Sequence, residues 1–140
     1  MLKMVNTEFE VMIFDDEKKL FLVLKNPYNN SSNDVYWQLP KADVGDVLME
    51  EKARKLLENE YSIILNNSEI FCACESITDL NHLISIGLVS NDSDVSNTQI
   101  NDIKTDIAYC FYDMDSLPKN LLESSKQVIK KYKERKKIGG

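Results

Sequence analysis

The chain has 140 residues, 43% hydrophobic and 29% charged, enough to bury one substantial core and too few to expect a second independent domain. Its net charge is −6, and no stretch of about eighteen residues is free of charge, which argues against a membrane-spanning helix. Three cysteines, Cys72, Cys74 and Cys110, form an odd set without metal-ligand spacing. Neither a disulfide framework nor a zinc site is expected, and a reducing compartment, cytoplasmic or nuclear, fits this usage.

The opening MLKMVNTEFE reaches acidic residues before any apolar run develops, so no secretory signal is expected. Two apolar, β-prone segments, 9–14 and 20–24, flank the polar DDEKK and predict a hairpin. PYNNSSND is rich in Pro, Asn and Ser and predicts an exposed loop. VYWQL predicts a short strand that Pro40 ends. From Val47 the period becomes helical, with Met49, Ala53, Leu56 and Leu57 on one stripe and Asp46 as the expected N-cap.

Beyond Tyr61 the pattern returns to strands at 63–65, 69–76, 82–89 and 106–112. Between the last two, SNDSDVSNTQIND predicts a polar, mobile loop. Ser116 and Pro118 mark the start of a final helix, with Leu121, Leu122, Ser125, Ile129 and Tyr132 along one face and lysines along the other. No internal repeat is present. Strands interrupted by one helix and closed by another predict an α/β chain of the α+β type, a mixed β-sheet with helices on its faces. Residues 1–137 are expected to form one domain, with 119–137 as a basic C-terminal helix and 138–140 as a flexible end.

The net charge conceals an asymmetry. Residues 1–125 hold twenty-two acidic and ten basic side chains, whereas 126–140 hold seven basic ones against Glu134 alone. Those seven are Lys126, Lys130, Lys131, Lys133, Arg135, Lys136 and Lys137. Such a patch can meet the phosphates of RNA or a ribonucleoprotein, with affinity that falls as salt rises. It can equally attract the acidic body or remain solvated.

WQLPKADVGD followed by KARKLLENEY resembles the Nudix hydrolase family, whose helix signature is G-x5-E-x7-R-E-U-x-E-E-x-G-U with U a bulky aliphatic residue. Trp37, Leu39, Pro40 and Lys41 match the usual lead-in, Gly45 and Asp46 stand at the Gly-Glu step, and Arg54, Leu56 and Glu58 match the helix. The order of elements also agrees, so the resemblance covers nearly the whole chain and implies the Nudix α/β/α sandwich. It further implies, for active members, glutamates that bind Mg²⁺ or Mn²⁺ and hydrolysis of a nucleoside diphosphate linked to another group.

Four departures fall where that chemistry is done. The glycine pair after Pro40-Lys41 is missing, with Ala42 and Asp43 in its place and the loop two residues shorter, Lys55 and Asn59 stand where glutamates belong, and Tyr61 replaces the terminal glycine. Asp46 for glutamate keeps the charge and shortens the reach. On a helical wheel Glu51, Arg54, Lys55, Glu58 and Asn59 share one polar arc. Lys55, Glu58 and Asn59 sum to zero charge where the family carries three carboxylates. An ammonium 4 Å from a divalent ion repels it by roughly 8 kcal/mol at an effective dielectric near 20.

The same residues have a simpler reading, an i, i+4, i+7 ladder of Glu51, Lys55 and Glu58 worth about 0.2–0.5 kcal/mol per pair to the helix. His82 reads as packed or surface rather than a general base. Cys72 and Cys74 read as small buried hydrophobes. Trp37 serves equally well as core or as a stacking platform.

The residues therefore favour a degenerate Nudix-like protein that binds a nucleotide or an RNA partner. The expected ligand contacts are Trp37, Lys41, Arg54 and Lys55, with the seven basic tail residues on RNA, no resident metal and no membrane partner. The alternatives are a divergent hydrolase, with Glu58 as metal ligand and Glu51 and Asp46 recruited beside it, and a protein-binding module.

Overall fold

A computed structural model describes residues 4–26, 34–77, 81–90, 98–100 and 102–138, without the side chains of residues 4, 81, 98, 99 and 136–138. Residues 27–33 of the expected PYNNSSND loop, residues 91–97 and 101 of the second loop, and Gly139 and Gly140 lie outside the described residues. The elements run β1 (Met4–Met12), β2 (Leu20–Lys25), β3 (Tyr36–Gln38), β4 (Lys41–Asp43), α1 (Met49–Tyr61), β5 (Ile64–Leu65), β6 (Ser68–Ile77), β7 (Asn81–Ser90), β8 (Thr98–Gln99), β9 (Ala108–Tyr112) and α2 (Glu123–Ile138).

The main sheet has the order β4-β1-β7-β6 and is mixed, with β1 parallel to β7 and the other pairs antiparallel. A second, antiparallel sheet has the order β3-β2-β9, and β5 pairs with β8. Side-chain alternation along β1 and β2 divides the core in two. Phe9, Val11, Phe21 and Val23 pack with Ala53, Leu57 and Tyr61 of α1. Met12, Leu20 and Leu22 pack with Val128 and Ile129 of α2. The α/β/α layering follows, because strands apolar on both faces need a cover on each side.

The expected hairpin forms its turn but not a single ladder. Asp15 and Lys19 close the turn through backbone and side chain, and Phe14 bridges Leu20. Beyond that bridge β1 and β2 diverge into different sheets, since each has better partners on its other edge. A strand at β4, within the presumed loop, pairs with β1, and β8 likewise occupies the end of the expected polar loop. Both are too short for a periodic pattern to register.

α2 starts at Glu123, later than the 116–119 start expected from Ser116 and Pro118. The cause is backbone pairing: Trp37 N–H donates to the Asn120 carbonyl, and Leu122 N–H donates to the Trp37 carbonyl. Residues 120–122 therefore extend the edge of β3 and cannot also be helical. Of the face expected for this helix, Leu121 and Leu122 are buried just ahead of α2, Ser125 and Ile129 are buried on its inward side together with Val128, and Tyr132 is partly buried.

Two features fix how closely α2 lies on the sheet. A Cβ on Gly87 would stand 2.7 Å from Cys72 Sγ and 2.9 Å from Val128 Cγ1, so only glycine admits the helix there. Beside it, Glu10 is fully buried in β1. Leu39 N–H donates to Ser125 Oγ, and the Ser125 hydroxyl bonds Glu10 Oε1 at 2.5 Å, while Oε2 has no partner among the described residues. Burial pushes the Glu10 carboxyl above its ordinary range, despite Ser125 and the neighbouring Lys41 ammonium acting in the opposite direction.

Gly87→Ala is expected to cost about 1–3 kcal/mol in urea denaturation, against less than about 0.5 kcal/mol for Ile64→Ala at an exposed site. A second expectation concerns pH. With its folded value raised above 4.5, Glu10 contributes stability below that value, and this is lost as pH rises through the folded value. Lys41 and Glu8 on neighbouring strand positions and Cys72 beneath α2 face the same carboxyl. The urea midpoint of the wild type relative to Glu10→Gln should therefore fall between pH 4 and pH 8; a parallel pair of curves would show that Glu10 titrates normally.

Candidate functional site

The resemblance directs attention to α1 and the segment leading into it. β3 passes through Leu39 and Pro40 into β4, held by a Val11 N–H bond to the Pro40 carbonyl. The short loop 44–48 then turns into α1. Its N-cap is Leu48, without a side-chain cap bond, so Asp46 lies outside the helix, exposed, and does not cap it. Instead Lys52 Nζ reaches back to the Asp43 carbonyl at 2.5 Å and stands 3.2 Å from where a Cβ on Gly45 would be. The shortened loop is thus tied to the first helical turn by an ammonium group. Sequence reasoning passed over Lys52, whose only signal is a basic residue one turn inside a helix with no capping side chain.

Of the expected stripe of α1, Ala53 and Leu57 are buried and Met49 and Leu56 partly buried, and Tyr61 is buried beside them. Tyr61, at the signature's terminal glycine position, remains helical and packs edge-on against Phe21 with centroids 5.5 Å apart. Burial, reinforced by Glu60, pushes its phenol up to about 12. The left-handed residue that ends the helix is Ser62, at φ 59°, whose N–H bonds the Glu58 carbonyl. Tyr61 is therefore the last helical residue and a core anchor. Glu60 is exposed.

On the opposite face Arg54, Lys55, Glu58 and Asn59 are exposed and Glu51 is half-buried. Lys55 Nζ lies 3.4 Å from Glu51 Oε1, whereas no Lys55–Glu58 ion pair forms among the described residues. One rung of the anticipated ladder is made. The lysine side chain is 65% exposed, which lowers the repulsion expected from sequence: at the dielectric of water it is about 2 kcal/mol for a divalent ion at 4 Å. The greater obstacle to a metal is the donor set. Glu58 stands beside an amide and a cation, Glu51 is engaged by Lys55, and no group of three His, Cys, Asp or Glu side chains converges among the described residues. Mg²⁺ relies on carboxylate oxygens, and these residues do not fit it.

The four expected ligand contacts fall into two groups. Arg54 and Lys55 are on the outer face of α1. Trp37 packs edge-on against Tyr112 at 5.2 Å in the α2-side core, and Lys41 pairs with Glu8 at 2.9 Å on that same side of the sheet. His82 is bonded to Glu75 across β6 and β7. Cys74 is buried, and burial followed by the adjacent Cys74 pushes the Cys72 thiol up to about 12, which leaves it un-ionised and poorly nucleophilic.

The basic helix is partly compensated. Lys126 pairs with Glu123 at 3.4 Å, Lys131 with Glu134 at 3.9 Å and Arg135 with Glu69 at 3.1 Å. Lys130 and Lys133 are exposed, and the side chains of Lys136 and Lys137 lie outside the described residues.

Neither the known family models nor the curated proteins include a match to this sequence. Solved structures do match. The MutT protein of Methanosarcina mazei Go1 superposes with a TM-score of 0.78 at 15% identity, over 98% of this chain and 99% of the other. The MutT Nudix hydrolase of Burkholderia pseudomallei gives 0.70 at 17% identity, over 92% and 98%. The Nudix domain of Shewanella oneidensis NrtR, solved with ADP ribose, gives 0.61 at 15% identity, over 96% and 89%. At such identities the likeness is one of backbone architecture, and it is nearly end to end: this chain has the Nudix fold.

Proposed function

We propose that this protein is a Nudix-fold binding protein, impaired in hydrolysis, whose ligand is a nucleotide of the nucleoside-diphosphate class. The observation that carries the proposal is the Lys55–Glu51 ion pair on the outer face of α1. It places an ammonium where the signature has a carboxylate and uses a second carboxylate to hold that ammonium. Arg54 remains exposed on the same helix as a cation for a phosphate. The NrtR Nudix domain, solved with ADP ribose, is a precedent for such a ligand on this backbone. The RNA reading of the tail draws less support, because three of its seven basic groups already have carboxylate partners.

Titration calorimetry of Mn²⁺ tests the proposal. The wild type should bind it no more tightly than millimolar, and Lys55→Glu/Asn59→Glu should bind at least tenfold more tightly. ADP ribose should bind the wild type equally well in EDTA and in Mn²⁺. Metal-dependent release of phosphate-bearing products by the wild type from ADP ribose, diadenosine polyphosphates or capped RNA would instead establish the hydrolase reading, with Glu58, Glu51 and Asp46 as the first groups to substitute.

Binding of ADP ribose should also depend on Arg54. Arg54→Ala is expected to weaken it by about 1.5–3 kcal/mol, the range for a hydrogen bond to a charged group, with no change in thermal midpoint because the side chain is exposed. Equal affinity in the variant would remove α1 from the ligand site.

A further inference from the structure

A groove of about 600 Å³ lies between β6 and α2, lined on one side by Ala73, Cys74 and Glu75 and on the other by a helical stripe that includes Lys126, Lys130 and Lys131. β6 is the last strand of the main sheet. Among the described residues its backbone makes no hydrogen bonds outside the ladder to β7. A ten-residue edge with open N–H and C=O groups is a template for another strand. α1 packs near β4, at the other edge of the same sheet, about 14 Å away at roughly 4.8 Å per strand. The groove is therefore separate from the nucleotide reading.

We infer that the groove between β6 and α2 receives an extended segment of a partner protein, added as a fifth strand beside β6, in which acidic and apolar residues alternate. The alternation follows from the two sides of the new strand. On the α2 side it would meet Lys130, which has no carboxylate partner among the described residues. It would also meet Lys126 and Lys131, whose pairs with Glu123 and Glu134 at 3.4 and 3.9 Å are half-exposed, so that an acidic strand competes with them rather than meeting free ammonium groups. On the other face of the sheet, Ile70 and Ile77 of β6 are 52% and 59% exposed at the two ends of a row that Ala73 and Glu75 complete, with Glu75 held by His82, and the partner's apolar side chains would cover the two isoleucines.

The ends of the groove add a further constraint. Glu123 and Glu134 stand on the same helical stripe, about 16 Å apart at 1.5 Å per residue. Basic residues flanking the acidic centre of the partner, six positions apart or about 20 Å in a strand, complement them. Lysines that only guard an edge against aggregation stand on the edge strand itself. Here they face it from the opposite wall across the groove.

The probe is the fluorescein-labelled peptide TKVEVEVKT, whose even positions carry the charges and whose odd positions carry the apolar residues. Fluorescence anisotropy should detect binding that persists with saturating ADP ribose, and amide exchange should slow at Ala73–Glu75. Affinity should fall at least tenfold for the charge-reversed TEVKVKVET. It should fall as far for TKVEPEVKT, which lacks the central N–H and tests strand addition without altering the protein. Lys126→Glu/Lys130→Glu should weaken the first peptide to a similar extent while circular dichroism remains that of the wild type. The proposal is overturned if the peptide does not bind, if the proline peptide binds equally well, or if protection maps outside β6. It is also overturned if a twelve-residue oligouridylate displaces the peptide and binds more tightly, which would assign the groove to nucleic acid, or if the free protein dimerises with β6 protected.

Discussion

From Phe9 to Met12 β1 is buried on both faces, and the rest of the molecule is arranged around that constraint. Its odd positions, Phe9 and Val11, need one cover and its even positions, Glu10 and Met12, need another. A strand in this position cannot remain paired with its sequence neighbour β2 and also be central to a sheet closed by β4 and β7. The turn at 15–19 therefore links two sheets. α1 and α2 are drawn to opposite sides, so the outer face of α1 and the lysine stripe of α2 lie on opposite faces of the main sheet.

The same constraint separates what could be read in the sequence from what could not. Long periodic segments were legible: β6, β7, the stripe of α1 and the inward face of α2 lie within a few residues of expectation, because burial of one face leaves a period in the chain. Pairings between distant segments left no such mark. The union of residues 120–122 with Trp37 delays α2, and neither partner announces it locally. β4 and β8 are three and two residues long, below the length at which alternation means anything. At the candidate site, the departure of Lys55 and Asn59 from the signature was plain. The role of Lys52 was not, since its partner is a backbone carbonyl nine residues earlier. Nor could the sequence reveal that Trp37 and Lys41 face the α2 side while Arg54 and Lys55 stand on the outside of α1.

The three cations Lys52, Arg54 and Lys55 have different physical roles despite their proximity. Lys52 holds a loop, Lys55 neutralises Glu51, and Arg54 is the one left without a protein partner among the described residues. Two of the three charges on this helix are thus committed to local structure. Exposed pairs of this kind stabilise a helix by only tenths of a kcal/mol. Their consequence is therefore for what the surface can bind, far more than for whether it folds.

The central claim is that the outer face of α1 holds no divalent ion. Paramagnetic broadening by Mn²⁺ in an amide-resolved NMR spectrum addresses it residue by residue. At one equivalent of Mn²⁺, the amides from Glu51 to Asn59 should lose no more intensity than those of α2. Selective loss of the Glu58 signal and its neighbours in the wild type would contradict the account.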